Sequence, residues 1–182
     1  NISAETDLVS GAISLEDAGT VINNSSTFNL SNDTNIFASF GGLAPGMINN
    51  TGTFQKLSLS GTSAVNVPFN NNGGTVHVSL GTLNFENGGA NTGGTYTAAA
   101  TATLNLIGGT IGPMPFSFAG GYTGSGPGTV TWASTLPIAP AGASFAFAPG
   151  TLVWKGGITG GTLTNGGSIT ANGGTLDTVM NN

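Results

Sequence analysis

The sequence predicts an all-β protein wound as a β-solenoid (β-helix) of roughly seven to nine coils, with a β-sandwich or jelly roll as the alternative. Three observations carry this expectation. Runs of four to eight residues that alternate apolar and polar recur along most of the 182-residue chain, each bounded by Gly, Asn or Pro. Helical periodicity is nearly missing, with one short window at 12–18. One phrase is also rewritten several times: "VINNSSTFNL" from Val21, "INNTGTFQKLSLSG" from Ile48, "FNNNGGTVHVSL" from Phe69 and "LTNGGSITA" from Leu163.

At the start of the chain, "NISAETDLVSGAISL" is extended and alternating. Residues 1–18 are expected to form an extended segment able to add as a strand to another subunit, with Leu8, Val9, Ile13 and Leu15 as the candidate assembly residues. From 19 to 182 a single solenoid domain is expected. Its strands read, in turn, "GTVINN", "STFNLS", "GTFQKLSLSG", "SAVNVPF", "GTVHVSL", "GTLNFEN", "GTYTAAA", "ATLNLIGG", "GTVTWAS", "ASFAFAPG", "GTLVWKGG", "GTLTNGG", "GSITANGG" and "GTLDTVM".

A Gly-Thr pair opens many of these strands, including those at Gly52, Gly74, Gly81, Gly94, Gly109, Gly128 and Gly150. Asparagine pairs stand at 23/24, 49/50 and 70/71, which are 26 and 21 residues apart. That spacing suits one coil. Each coil lies over the last at about 4.8 Å, so a residue stacks on its equivalents. Corners favour Gly or Asn, which tolerate positive φ. Asn23, Asn24, Asn49, Asn50, Asn70, Asn71 and Asn165 are therefore expected as turn residues whose amides bond along the axis in a ladder. Residues 111–128 and 136–150 hold six of the eight prolines and are expected as loops beside or between coils, because proline donates nothing to a ladder.

Composition narrows the function classes. Charged residues are 5% of the chain, the net charge is −5, and there are two lysines and no arginine. Without a basic surface, nucleic-acid binding and polybasic attachment to membranes are not expected. No apolar run approaches the ~20 residues of a membrane-spanning helix. No cysteine is present to form a disulfide or ligate a metal. The polarity comes instead from Gly, Thr, Ser and Asn, and 38% of residues are hydrophobic, enough for a packed core.

"GTVINNSSTFNLSNDTNIF", "INNTGTFQKLSLSGTSAVNVPFNNNGGTVHVSLGTLNF", "GTYTAAATATLNLIGGT" and "GTLVWKGGITGGTLTNGGSITANGGTLD" resemble the repeat regions of large secreted bacterial β-solenoids. These are the autotransporter-passenger-like and filamentous-adhesin-like proteins. The resemblance lies in composition and rhythm, from about 19 to 177, with no motif of catalytic residues. It implies a right-handed β-helix, export and a structural or adhesive role.

Chemistry-bearing residues are sparse. His77 is the single histidine, flanked by Val76 and Val78 so that it points away from them. Glu16 and Asp17 are the only adjacent acids, and strand neighbours point to opposite faces. "GGYTGSGPG" at 120–128 lacks the Gly-Lys-Ser/Thr of a phosphate loop. Thr-x-Thr pairs, as at Thr95/Thr97 and Thr129/Thr131, raise ice binding as a lesser reading; Trp132, Trp154, Tyr96 and Tyr122 raise stacking on sugars.

The expectation is a non-enzymatic structural subunit of an extracellular filament, polymerised head to tail by strand pairing, with no cofactor. A monomeric adhesin or carbohydrate-binding module that meets cell-surface glycans is the rival. A polysaccharide-active enzyme ranks lower.

Overall fold

The computed structural model describes residues 1–38, 46–108 and 116–182. All its regular structure is β, and the strands follow one another around a repeating three-sided path. Rung 1 comprises β1 (Thr6–Leu8) and β2 (Ile13–Ser14); rung 2 is β3 (Val21–Asn24), β4 (Thr27–Leu30) and β5 (Ile36–Phe37). Rung 3 is β6 (Met47–Asn50), β7 (Thr53–Lys56) and β8 (Thr62–Val65); rung 4 is β9 (Phe69–Asn71), β10 (Thr75–Val78) and β11 (Thr82–Phe85). Rung 5 is β12 (Gly89–Asn91), β13 (Gly94–Ala98) and β14 (Thr103–Leu106). From rung 6 the first two sides run together: β15 (Phe116–Ser125) and β16 (Thr129–Trp132), then β17 (Leu136–Phe147) and β18 (Leu152–Trp154), then β19 (Ile158–Asn165) and β20 (Ile169–Ala171). β21 (Leu176–Asn181) lies over β19.

Every described pairing is parallel and joins a strand to its equivalent one rung away. The third face stacks eight strands from β2 to β20, so the chain winds about seven times around the axis between them. This is a β-solenoid. The sandwich alternative, which needs antiparallel sheets, does not apply.

Alternation explains the interior. On the second face Phe28, Phe54, Val76 and Tyr96 form one inward column; on the third, Leu83, Leu104, Val130 and Leu152 form another. All eight are buried. The rings of Phe28 and Phe54 stack at 5.4 Å. The outward partners of these columns are small and polar: Thr27, Thr53, Thr75, Thr95 and Thr123 stand in register up the second face.

The Gly-Thr signature now has a cause. At Gly81 (φ +72°) an added Cβ would collide with the Gly61 carbonyl oxygen, and at Gly94 (φ +139°) with that of Gly74. At these corners, as at Gly52, Gly74 and Gly128, the backbone passes so close to the rung below that only glycine fits, whereas Gly150 has open space around it; threonine then takes the first outward place of the next strand. Gly109 lies outside the described residues.

One expectation is corrected. Of the proline-rich stretches, 111–115 lies outside the described residues, but 116–125 and 136–147 are the two longest strands, of 10 and 12 residues, and not loops. Their rings alternate inward at Phe116, Phe118, Tyr122, Phe145 and Phe147, all buried. The prolines stand where a ladder hydrogen bond is dispensable: Pro137 is the second residue of β17, and Pro140 falls within its bulge between Ile138 and Ala143. Residues 1–18, expected as an extended segment able to add to another subunit, pair with their own chain. Ile2 bridges Asn24, β1 pairs with β4 and β2 with β5, so this segment is the first rung of its own chain.

Candidate functional site

The asparagines form two continuous amide columns at the corner between the first and second faces. In the outer column Asn23 donates to Asn1 (3.0 Å), Asn49 to Asn23 (2.8 Å) and Asn70 to Asn49 (2.9 Å). In the inner, Asn24 donates to Asn50 (2.7 Å) and Asn50 to Asn71 (2.8 Å); Asn24, Asn50 and Asn71 are buried. The inner column donates toward the C-terminus and the outer toward the N-terminus. Inner amides also donate to turn carbonyls, Asn24 to Thr53 (2.8 Å) and Asn71 to Gly74 (3.0 Å). They thereby satisfy the backbone exactly where the strand breaks off to turn, which no apolar residue can do. Asn165 stands apart, accepting the Gly167 amide (3.3 Å) and donating to Asn182 (3.0 Å).

A third polar column, absent from the sequence reading, climbs the outer second face. Gln55 donates to Asn29 (2.7 Å), and the Asn29 amide donates to both Asp7 (2.6 Å) and Glu5 (2.9 Å). His77 continues it above Gln55, with Nδ1 2.7 Å from the Thr97 hydroxyl. Partial burial lowers the imidazole pKa. Its ring meets a threonine and not the acid or serine that a catalytic relay requires.

Sequence reasoning also missed the pairing of Lys56. By alternation Lys56 shares the inward column of Leu30 and Val78, and it is fully buried. Its Nζ reaches out to Asp33 (2.6 Å) and donates to the Ser58 carbonyl (3.0 Å), while the second Asp33 oxygen accepts the Gly61 amide (3.1 Å). The signal was present in "TFQK", where Phe54 and Lys56 have the same parity. The ion pair fastens the corner between β7 and β8.

The candidate assembly residues divide. Leu8 and Ile13 are half-buried on their own chain, Leu15 is buried, and Val9 is 67% exposed. The four aromatics considered for sugar stacking, Tyr96, Tyr122, Trp132 and Trp154, are all buried. Desolvation pushes the Tyr122 phenol up to about 12. The Thr-x-Thr pairs do not share one surface: Thr95 and Thr97 lie on the second face, whereas Thr129 and Thr131 lie on the third, with Thr131 buried.

Apart from Glu5 and Asp7, which meet at the Asn29 amide, the acids are scattered among the described residues. Glu16 is half-buried and Asp17 exposed beside the turn after β2, Glu86 accepts from Asn84 (3.2 Å), and Asp177 is exposed on β21. No three of His, Cys, Asp and Glu gather there as a metal site would need. A shallow groove of about 450 Å³ beside the bulges of rungs 6–8 is lined by glycine, alanine, Ser144, Thr162 and Thr164, with no titratable group.

The chain matches no protein-family model, no curated protein and no solved structure. The fold itself is compatible with a structural or adhesin-like role, and no described helix is long and apolar enough to cross a membrane.

Proposed function

We propose that the chain is a structural unit of an extracellular or cell-surface fibre, joined to identical units by parallel strand pairing across the ends of the stack. The observation that carries this reading is the state of the inner columns at the last rungs. Leu176 stands over Ile158, yet Leu176 is 46% exposed where Ile158 is 0%. Met180 and Ile169 continue the fully buried columns of Leu163 and Leu152 and are only half-buried. Within the described chain β20 and β21 have a strand neighbour on one side only, as do β1 and β2 at the other end. A further rung of the same pattern bonds such an edge and covers such a column in one step.

The sidewall supports the same reading. Its outward columns are mostly threonine, asparagine and serine, its tyrosines, its tryptophans and its described phenylalanines other than Phe37 are buried, and its buried lysine serves a corner. These features suit a rod more than a binding platform or a catalytic cleft. Contact between two unlike ends is heterologous, so it propagates as a fibre instead of closing a ring.

A flanking stretch of the same polypeptide would cover the edges equally well, and one experiment separates the two. Purified protein spanning 1–182 is followed by sedimentation velocity and negative-stain microscopy over a concentration series. Unbranched filaments of uniform width that lengthen with concentration are expected. A folded monomer at every concentration overturns self-assembly of this chain.

A further inference from the structure

Large apolar side chains are exposed at six places among the described residues: Val9, Leu57, Leu59, Leu80, Leu176 and Val179. The last two belong to β21. The other four stand at a single corner, between the second and third faces. Leu8, Leu30 and Lys56 share a column, so Val9, Ser31 and Leu57 share the next position along the strand path. Leu59 lies between β7 and β8, and Leu80 between β10 and β11, one rung above. The result is an apolar ridge parallel to the solenoid axis over rungs 1, 3 and 4.

The corner is built to hold that ridge rigidly. Lys56 and Asp33 clamp the turn from inside through the Ser58 carbonyl and the Gly61 amide, and the Ser58 hydroxyl donates to the Ser31 carbonyl of the rung below (2.6 Å). Within this turn Leu59 adopts φ +64°, the left-handed region that disfavours any side chain. Leu59 is therefore unfavourable twice over, in its backbone and in its 51% exposure. Asn or Gly at this place would avoid both costs, so the folded chain alone gives no reason for leucine.

We propose that this corner is a lateral seam, at which the ridge of one copy packs against the ridge of a second copy lying alongside. Three features select another copy as the occupant. The ridge runs with the axis, so it matches a partner with the same axial repeat, which a second rod has. Of the acids beside it, Asp33 is neutralised by Lys56, and Asp7 is held by the Asn29 amide and the Ser31 hydroxyl at the rung 1–2 end, so at rungs 3 and 4 two copies of a protein with net charge −5 meet without repulsion. Four side chains fall far short of the roughly 1,600 Å² of a standard stable interface, so a single pair of ridges holds weakly. Repetition along a fibre turns that weak contact into firm adhesion. In this last respect the seam rests on the end-to-end reading above, and its consequence there is that fibres bundle.

Beads carrying the chain at high density through an added C-terminal tag reproduce the repetition without any fibre. Wild-type beads are expected to cluster. Beads carrying Val9→Ser, Leu59→Asn and Leu80→Asn together are expected to cluster less by at least about tenfold. Leu59→Asn alone relieves the left-handed leucine, so it folds and gives an intermediate loss even where the triple variant does not fold. Unchanged clustering by a folded variant overturns the seam. Clustering that appears only after a cell extract is added replaces the second copy with a different partner and also overturns it. Microscopy then reports on the two readings separately. Wild-type bundles that become single fibres in the variant support both. Absence of fibres overturns the end-to-end reading while the beads still decide the seam.

Discussion

Rungs 2–4 and rungs 6–8 pass the same corner in two different ways. In the lower rungs a first-face strand stops at an inward asparagine, Asn24, Asn50 or Asn71, and the chain turns before the second face begins. In the upper rungs the register puts Phe118, Ile138 and Gly160 at that place. The switch falls where Asn91 lies opposite Phe118. Without an amide to satisfy turn carbonyls the chain does not break; it runs on as one long strand, bent by a bulge in each of three rungs. The interior there is packed with rings: Trp132 lies 4.6 Å from Phe145, Tyr122 5.2 Å from Phe145, and Phe118 5.5 Å from Trp132. One solenoid thus uses hydrogen-bonded amides to shape its corner at one end and ring packing with bulges at the other.

The sharpest way to break this comparison is to remove its two centres separately. Phe145 is fully buried and touches four other rings. Phe145→Ala is expected to destabilise by about 4 kcal/mol in urea unfolding, the usual range for emptying a ring from a core. Amide hydrogen exchange is expected to accelerate in rungs 6–8 and to stay slow in rungs 2–4, because each rung contacts mainly its neighbours. Equal acceleration in both regions would contradict the division.

Asn50→Ala is the counterpart, with an expected cost of about 3 kcal/mol. Asn50 is fully buried, accepts from Asn24 and donates to Asn71, so its loss leaves two buried amides short of a partner. Its faster exchange belongs in rungs 2–4. The adjacent outer column, where Asn49 is half-buried and within reach of water, supplies the control: Asn49→Ala removes two similar bonds that water can replace, at an expected cost of about 1 kcal/mol. If the two variants cost the same, burial is not what gives the inner ladder its weight.

Lys56→Met sharpens the lower region further. Methionine refills the inward place between Leu30 and Val78 but leaves Asp33 without its cation. Asp33 is one-third exposed and keeps the Gly61 amide, so solvent screens much of the loss, and about 2 kcal/mol is expected. Adding Asp33→Asn is expected to recover most of that in the same unfolding measurement.

The solenoid was legible because its signals are local and periodic. Asn23/Asn24, Asn49/Asn50 and Asn70/Asn71 differ from their surroundings, recur once per coil and stack in the fold as paired columns. The upper rungs were misread because Pro137 and Pro140 carry a strong local rule against strands, which a bulge evades. Lys56 was passed over for a similar reason. Its inward parity follows from Phe54, but its partner lies 23 residues away on another rung, and no local pattern points to Asp33. The acids at Glu5 and Asp7 likewise gain meaning only from Asn29, one coil later.

The smallest expected effect concerns the outer second face, where the side chains are polar in both regions but only one titrates near neutrality. His77 sits between Gln55 below and Thr97 above, both neutral. The acids of its column, Glu5 and Asp7, are three rungs down, about 14 Å at the strand spacing and beyond the ~8 Å screening length of physiological salt. Burial therefore decides, and it lowers the imidazole pKa from 6.5 in the folded chain. The unfolded chain then binds the proton more readily than the folded one. The contribution is fully present above about pH 6.5 and is lost as pH falls from there through the folded value. His77 is only half-buried, so the effect is modest. His77→Gln, which repeats the residue one rung below, is expected to flatten the difference in urea midpoint between pH 7.5 and pH 5.5 while leaving the pH 7.5 midpoint nearly unchanged. A pH dependence that survives the substitution would move its origin to the carboxylates of the first rung.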